Sequence, residues 1–347
     1  MKKKQLGRTG LIVSEIGLGG IPITRVEVPE GVDIIRHCFE LGVNFFDTAR
    51  FYGDSELKIG AALEPVRDKV VVATKTIARD AAGVNEQLED SLRDLKTDHI
   101  DLYQAHNIAT KEDLDRVMGP GGAYEAFRLA KEQGRISHIG VTSHNPDIAL
   151  QACKTGLFET LQFPFNFVEH DPADKLFKVA QEMGMGIIGM KPLGGGQLER
   201  ADLCFGFLQG HGQVVPIAGI QSKEEIEEIV SLYRSPRPLS REDWKEIEKI
   251  RQELGDSFCH RCGYCMPCEQ GVIIPRILLF RSQMKRFPRA MVVSLAEAPM
   301  KTREGCIACG ECEDKCPYGL KIPELIKEYR ELFLDFLKQD RSSGGTD

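Results

Sequence analysis

The first 258 residues of this 347-residue chain hold only three of its eleven cysteines, Cys38, Cys153 and Cys204. Each stands in an apolar or helix-like context, which suits a small buried side chain better than a ligand. No apolar run reaches the roughly 18 residues that a membrane-spanning helix needs. A basic stripe for nucleic acid is also missing, and the one dense basic run, Met1-Lys2-Lys3-Lys4, reads as a solvated start. No apolar signal core follows that start, because Gln5-Leu6-Gly7-Arg8 comes next. These absences predict a cytoplasmic protein that partners neither membrane nor nucleic acid. A Gly-rich dinucleotide fingerprint is lacking after the first predicted strand. Gly17-Leu18-Gly19-Gly20 is too short for it and reads as a tight turn, which argues against a doubly wound open sheet.

Hydrophobic residues make up 42% of the chain and the formal charge is −7, so a large core can be buried. The length accommodates one barrel of about 250 residues plus a smaller module. Short apolar runs predict strands at Glu15–Leu18, Asn44–Asp47, Val70–Lys75, Ile100–Ala105, His138–Thr142, Thr160–Phe163, Gly186–Met190 and Val214–Ile217. Amphipathic segments between them predict helices at Val32–Leu41, Ser55–Leu63, Val84–Asp94, Ala123–Gln133, Pro146–Cys153, Pro172–Met183 and Lys223–Leu232, with another over 240–254. In one of these, Val84, Leu88, Leu92 and Leu95 recur at helical spacing. Eight strand–helix alternations predict parallel strands, and eight is the number that closes a (β/α)8 TIM barrel. The segment from Gln5 to Ser14 reads as an N-terminal β-hairpin plugging the barrel bottom. The expected division is a barrel over 1–255, a cysteine-rich module over 256–340 and a disordered polar tail over 341–347.

Asp47, Tyr52, Lys75 and His106 fall at or just after the C-terminal ends of the second, third and fourth strands. In a closed barrel those ends converge on one mouth, where barrel active sites lie. Carbonyl reduction needs a hydride at carbon and a proton at oxygen. A phenol can give the proton, and a nearby ammonium favours phenolate and makes it a readier acid. Lys75 can supply that ammonium, Asp47 can keep it charged and aimed, and His106 can orient the substrate oxygen. Taken singly, each has a plainer reading: a helix cap, a packed aromatic, a surface charge, a loop histidine. Their joint register is what carries the argument.

The run Asp47-Thr48-Ala49-Arg50-Phe51-Tyr52-Gly53-Asp54-Ser55-Glu56 resembles the aldo-keto reductase pattern D-T-A-x-x-Y-x-x-S-E. Ala73-Thr74-Lys75-Thr76 and Asp101-Leu102-Tyr103-Gln104-Ala105-His106 match that family in order and spacing, and the resemblance covers roughly residues 3–235. It implies reduction of an aldehyde or ketone by NAD(P)H, with Tyr52 as general acid assisted by Lys75, Asp47 and His106. It also implies a cofactor site. Gln162 resembles the glutamine on the nicotinamide carboxamide, and Ser143 lies in a segment similar to the family's G-V-S-N. Lys191, Pro192 and Leu193 resemble the loop over the pyrophosphate. Gly20, Gly219 and Ser222 complete the set, the last leading into a helix whose N-terminus can receive phosphate. Glu225 stands where NADP-preferring members carry an Arg, a departure that leans toward NADH, although Lys223 nearby keeps NADPH open.

The other eight cysteines crowd between Cys259 and Cys316, a pattern that reads as metal binding in a reducing compartment. They form an internal repeat. The first copy is Cys259-x2-Cys262-x2-Cys265-x2-Cys268, followed by Gly271 and Ile274-Pro275; the second is Cys306-x2-Cys309-x2-Cys312-x3-Cys316, followed by Gly319 and Ile322-Pro323. The second copy is the bacterial ferredoxin run, in which the fourth Cys serves the other cluster. Zinc sites pair two C-x2-C units across a loop, and two triple runs fit that poorly. Two [4Fe-4S] clusters are therefore expected, with Cys259, Cys262 and Cys265 completed by Cys316, and Cys306, Cys309 and Cys312 completed by Cys268. The chain thus looks like the aldo-keto reductase subfamily with a C-terminal ferredoxin-like extension. Nicotinamides move two electrons and clusters one, and no flavin site links them here. The clusters could serve a redox protein partner, sense redox state or stabilise the module. The rival readings are an electron-transfer protein whose barrel docks a partner and a non-catalytic nucleotide sensor.

Overall fold

The computed structural model describes residues 1–255 and 257–338. The expected tail, 341–347, lies outside the described residues. Backbone contacts divide the chain into two compact units, Met1–Asp243 and Trp244–Asp347.

The first unit opens with a hairpin. Strand β1 (Lys3–Gln5) pairs antiparallel with β2 (Ile12–Ser14) across a 3-10 turn, Gly7–Thr9. Eight parallel strands then close a barrel: β3 (Gly17–Gly19), β4 (Phe45–Asp47), β5 (Val71–Thr76), β6 (Ile100–Ala105), β7 (Ile136–Thr142), β8 (Thr160–Pro164), β9 (Gly186–Met190) and β10 (Val214–Gly219). They neighbour one another in chain order, and β10 closes on β3. Between them run α1 (Val28–Glu40), α2 (Ser55–Leu63), α3 (Ala81–Asp94), α4 (Lys111–Met118), α5 (Ala123–Glu132), α6 (Pro146–Lys154), α7 (Leu176–Glu182), α8 (Ala201–Gln209) and α9 (Lys223–Arg234).

Alternation along each strand sorts the barrel interior into layers. Phe45, Val71, Ala73, Leu102, Ile188, Met190, Val215 and Ile217 form one apolar cluster, and Leu6 and Val13 of the hairpin seal it. Two residues further along the same faces the lining turns polar, at Asp47, Lys75 and Gln104, all buried. The hairpin therefore closes one end and the site lies at the other.

Several elements differ from the sequence expectation. The first strand is shifted to Gly17–Gly19, and α1 starts a turn earlier, with Pro29 in its first turn, where a missing N–H costs nothing. The segment expected as one helix from Pro172 breaks into a 3-10 turn, Asp171–Ala173, and the shorter α7. Two helices have no counterpart in the sequence expectation. Apolar residues lie all around α8, where Ala201, Leu203, Cys204, Phe205, Phe207 and Leu208 are buried, so it shows no amphipathic stripe. The other, α4, buries only Leu114 and Val117, too few to set a period.

Helix α10 (Arg241–Gly255) carries the chain from one unit into the other. Within the second unit, α11 (Ile274–Leu278), α12 (Phe280–Arg286), α13 (Arg289–Thr302), α14 (Glu311–Asp314) and α15 (Ile322–Lys338) surround a small core of Val272, Ile277, Phe280, Val292, Ile326, Tyr329 and Phe333, among others. The two Ile-Pro dipeptides of the repeat open α11 and α15, which pack together. Cys259, Cys265, Cys268, Cys306, Cys312 and Cys316 lie against this core.

Candidate functional site

Asp47 ends β4, Lys75 lies one residue from the end of β5, and His106 directly follows β6. Tyr52 sits in the turn that leads into α2, and its backbone N–H donates to the Ala49 carbonyl at 2.9 Å. The four side chains meet. Lys75 Nζ donates to Asp47 Oδ2 at 2.6 Å and to the Thr48 carbonyl at 2.5 Å. It also stands 5.1 Å from the centroid of the Tyr52 ring. Tyr52 Oη and His106 Nε2 are 3.5 Å apart, the two rings meeting edge to face. Lys75 and Asp47 are each about 1% exposed, so their ion pair is shielded from bulk water.

Two amides complete the coordination of Asp47. Gln104 Nε2 donates to Oδ1 at 3.1 Å and Gln162 Nε2 to Oδ2 at 3.4 Å. Burial pushes the Asp47 carboxyl above its ordinary range, against the pull of the Lys75 ammonium and both amides. Burial likewise holds the His106 imidazole well below its ordinary value, and the charges of Lys75, Arg79 and Lys191 lower it further. His106 is thus a neutral ring. Its Nδ1 is buried and has no hydrogen-bond partner among the described residues. A buried orphan N–H is rarer than an orphan lone pair, so the proton belongs on Nε2, which faces Tyr52.

Sequence reasoning does not single out Gln104, though strand alternation puts it on the same face as His106 two residues later. Arg79 also escapes it. Its Nη2 donates to the carbonyls of His106 and Asn107 at 2.9 and 3.0 Å and so fixes the turn that carries His106.

The residues that the family resemblance assigns to a cofactor ring the same mouth. Gln162 Oε1 is buried and has no hydrogen-bond partner among the described residues, an acceptor left for an amide N–H. A Cβ on Gly20 would lie 2.5 Å from Ser55 Oγ, and the Gly20 N–H donates to the Asp47 carbonyl at 2.7 Å. After Lys191, Pro192 and Leu193, the residues Gly194, Gly195 and Gly196 have φ of 56, 70 and 87°, a left-handed path suited to glycine. Gly219 ends β10, and Ser222 caps α9 by accepting from the Glu225 N–H at 3.3 Å. Glu225 Oε2 in turn accepts from the Gln221 N–H at 2.7 Å. Lys223 is paired with Asp33 at 2.5 Å. The Ser143 hydroxyl donates to the Ile108 carbonyl at 2.6 Å and holds the loop. Asn145 is committed to capping α6, where it accepts from Asp147 and Ile148 N–H groups. His144, between them, faces Asn107 and Lys191.

In the second unit, Cys265, Cys268, Cys306, Cys309 and Cys312 line one cavity, together with Ile307, Glu311, Lys315 and Ile326. Cys316 neighbours the first run instead. Burial pushes the Cys265 thiol up to about 12, with Cys259, Cys262, Cys316 and Cys312 adding to it; burial pushes Cys259 up to about 11, with Cys262 and Cys316 adding to it. Among the described residues, no three His, Cys, Asp or Glu side chains converge closely enough to hold a single metal ion. The all-thiol donor set, five cysteines along one cavity, is of the kind that ligates iron–sulfur clusters. Among the described residues no helix is long and apolar enough to cross a membrane.

Residues 15–204 match the family model "Aldo/keto reductase family", and residues 258–321 match "4Fe-4S dicluster domain". The chain is 29% identical over 217 residues to the uncharacterized oxidoreductase YqkF of Bacillus subtilis, covering 58% of this chain and 68% of that protein. It is 31% identical over 229 residues to YrpG of the same organism, also an uncharacterized oxidoreductase, covering 57% and 68%. Among solved structures it is similar to the holo form of aldo-keto reductase AKR11C1 from Bacillus halodurans, with a TM-score of 0.63 and 26% identity over 72% of this chain and 96% of that one. The family implies NAD(P)H and small carbonyl substrates, and the dicluster domain implies two [4Fe-4S] clusters. The chain belongs to the aldo/keto reductase family and carries a C-terminal 4Fe-4S dicluster domain.

Proposed function

We propose that the barrel mouth reduces an aldehyde or ketone, with Tyr52 as general acid. The observation that carries this is the meeting of Asp47, Lys75, Tyr52 and His106 from separate strand ends around one small volume. When bound, a nicotinamide cofactor would supply the hydride for the carbonyl carbon. His106, neutral and protonated at Nε2, donates a hydrogen bond to the carbonyl oxygen and turns it toward Tyr52. The phenol gives its proton to that oxygen as negative charge grows there. Lys75 stabilises the phenolate left behind, and Asp47, gripped by Gln104 and Gln162, keeps the ammonium in place. Solvent then returns a proton to Tyr52.

Gly20, Ser143, Gln162, Lys191, Pro192, Leu193, Gly219, Ser222 and Glu225 would hold the cofactor. The free Gln162 acceptor supports the carboxamide contact, while Ser143 acts by shaping the loop. With Lys223 neutralised by Asp33, the Glu225 carboxylate governs the charge at the α9 N-terminus and favours NADH over the extra phosphate of NADPH. Residues 1–255 work as the reductase and 256–340 as the cluster module. Cys259, Cys262, Cys265 and Cys316 would hold one cluster, and Cys306, Cys309, Cys312 and Cys268 the other. The clusters carry single electrons, so a redox protein partner is the natural counterpart of that module.

Cofactor deuterated at the transferring carbon tests the reaction. The label is expected at the carbinol carbon of the product alcohol, with NADH at least as effective as NADPH. Product formed without label at carbon would overturn hydride transfer. Tenfold better use of NADPH would overturn the role given to Glu225.

A further inference from the structure

One buried carboxylate has no part in the mechanism above. Glu56 lies in the first turn of α2 and is shielded from water. Its Oε1 accepts from Thr74 Oγ1 at 2.6 Å and from Ser91 Oγ at 2.7 Å, and its Oε2 accepts from Arg50 Nη1 at 2.6 Å. The same Arg50 nitrogen donates to Asp94 Oδ2 at 2.6 Å, at the end of α3. Burial pushes the Glu56 carboxyl above its ordinary range, against the pull of both hydroxyls and Arg50. A buried carboxylate is costly unless it is paired and hydrogen-bonded, and this one is both.

The partners matter by where they stand. Arg50 comes two residues before Tyr52 and Glu56 four after it, so their ion pair closes the turn that carries the phenol. Thr48 Oγ1 and Ser55 Oγ, 2.8 Å apart, close it a second time. Thr74 and Lys75 are adjacent on β5 and face opposite sides of it. Lys75 points into the barrel, and Thr74 points out of it onto Glu56. The Arg50 N–H also donates to the Lys75 carbonyl at 3.0 Å. The turn that holds Tyr52 is therefore tied to the segment of β5 that holds Lys75. Gly60, one helical turn beyond Glu56, lets α2 approach this closely: a Cβ there would lie 2.3 Å from the Asp94 carbonyl.

We propose that Glu56, paired with Arg50, is a positioning residue for the reduction: it sets the place of the Tyr52 phenol relative to the Lys75 ammonium. This rests on the reading of Tyr52 as general acid. Glu56 acts from outside the barrel, through the turn and the strand. Lys75 stands 5.1 Å from the centroid of the Tyr52 ring, and an ammonium's hold on a phenolate weakens with distance. A glutamine at position 56 would keep the shape, but its amide nitrogen would meet donors on one side, since an arginine only donates.

The test is a double-mutant cycle on the holoprotein: wild type, E56Q, Y52F and E56Q/Y52F. T74V, alone and with Y52F, is a milder cut that removes only the tie to β5. Turnover, KM for a good carbonyl substrate and cofactor affinity are measured for each. NMR of ring-labelled tyrosine follows the Tyr52 signal, identified by its loss in Y52F. With Tyr52 present, E56Q should lower kcat by about tenfold or more, since misplacement by about 1 Å can cost on the order of 10²-fold. In the Y52F background, E56Q should cost no more than about twofold, because a residue that acts through Tyr52 has nothing left to position. T74V should follow the same pattern with a smaller loss. KM and cofactor affinity should stay within about twofold, the range of independent sites, and the Tyr52 ring signal should move in E56Q and T74V. Equal losses in both backgrounds overturn the proposal, because Glu56 then serves the fold alone. An unmoved Tyr52 signal overturns it too. If E56Q does not fold, the T74V cycle and its ring signal decide. If Y52F turns over normally, the general-acid reading falls, and the ring signal by itself decides whether Glu56 positions Tyr52.

Discussion

His106 shows how much of the chemistry is set by a single residue's surroundings. Burial and three nearby cations hold the ring neutral, so it can offer Nε2–H to a carbonyl across the usual working pH range. The sign of the linked stability follows. Above about pH 6.5, neither the folded nor the unfolded chain protonates this ring; below it, only the unfolded chain does, so stability falls as pH falls. Histidine-labelled NMR of the holoprotein should therefore find the His106 ring signals unmoved between about pH 8 and 5.5. A midpoint near the ordinary value of about 6.5 would contradict the neutral-donor role. At this scale Asp47, Lys75 and His106 are legible in sequence because each is a polar residue ending an apolar run. The Lys191–His144 contact is not legible, since it joins loop residues 47 apart and Lys191 has a positive φ.

Among the elements, strands are easier to read than helices. Each strand announces itself by a short apolar run, as in Gly186–Met190, all buried. Helix α8 hides because it is apolar on all sides, and α4 because it is nearly all polar. The cysteine repeat is legible as spacing, and the ferredoxin pattern of its second copy already predicts pairing between the copies. Cys268 and Cys265 share a cavity with Cys306, Cys309 and Cys312, while Cys316 neighbours Cys259, Cys262 and Cys265. That arrangement supports crossed ligation, in which each copy lends its fourth cysteine to the other. Anaerobically prepared protein is expected to hold about eight irons and eight sulfides per chain. Cys316→Ala should lower this to about four by harming the cluster of the first run. Stoichiometric zinc in place of iron would refute the clusters, and a variant that lost only the cluster of the second run would refute the crossing.

Over the whole molecule, a (β/α)8 barrel and a dicluster module share one chain, and each follows from a pattern in the order of its residues: eight strand–helix alternations, then two runs of four cysteines. The barrel's layering explains why chemistry sits at one end. The hairpin occupies the other, and alternation turns apolar layers into a polar one at Asp47, Lys75 and Gln104. Substrate identity is less legible, because loops after the strands set it and their side chains meet only in the fold. The proposed reductive role of the mouth turns on one hydroxyl. Tyr52→Phe, measured on holoprotein with a good carbonyl substrate and with cofactor affinity determined in parallel, tests it most directly. Turnover is expected to fall by about 10²–10⁴-fold, the usual share of general acid catalysis, while cofactor binding stays close to that of the wild type. Near-normal turnover in that variant would contradict the account.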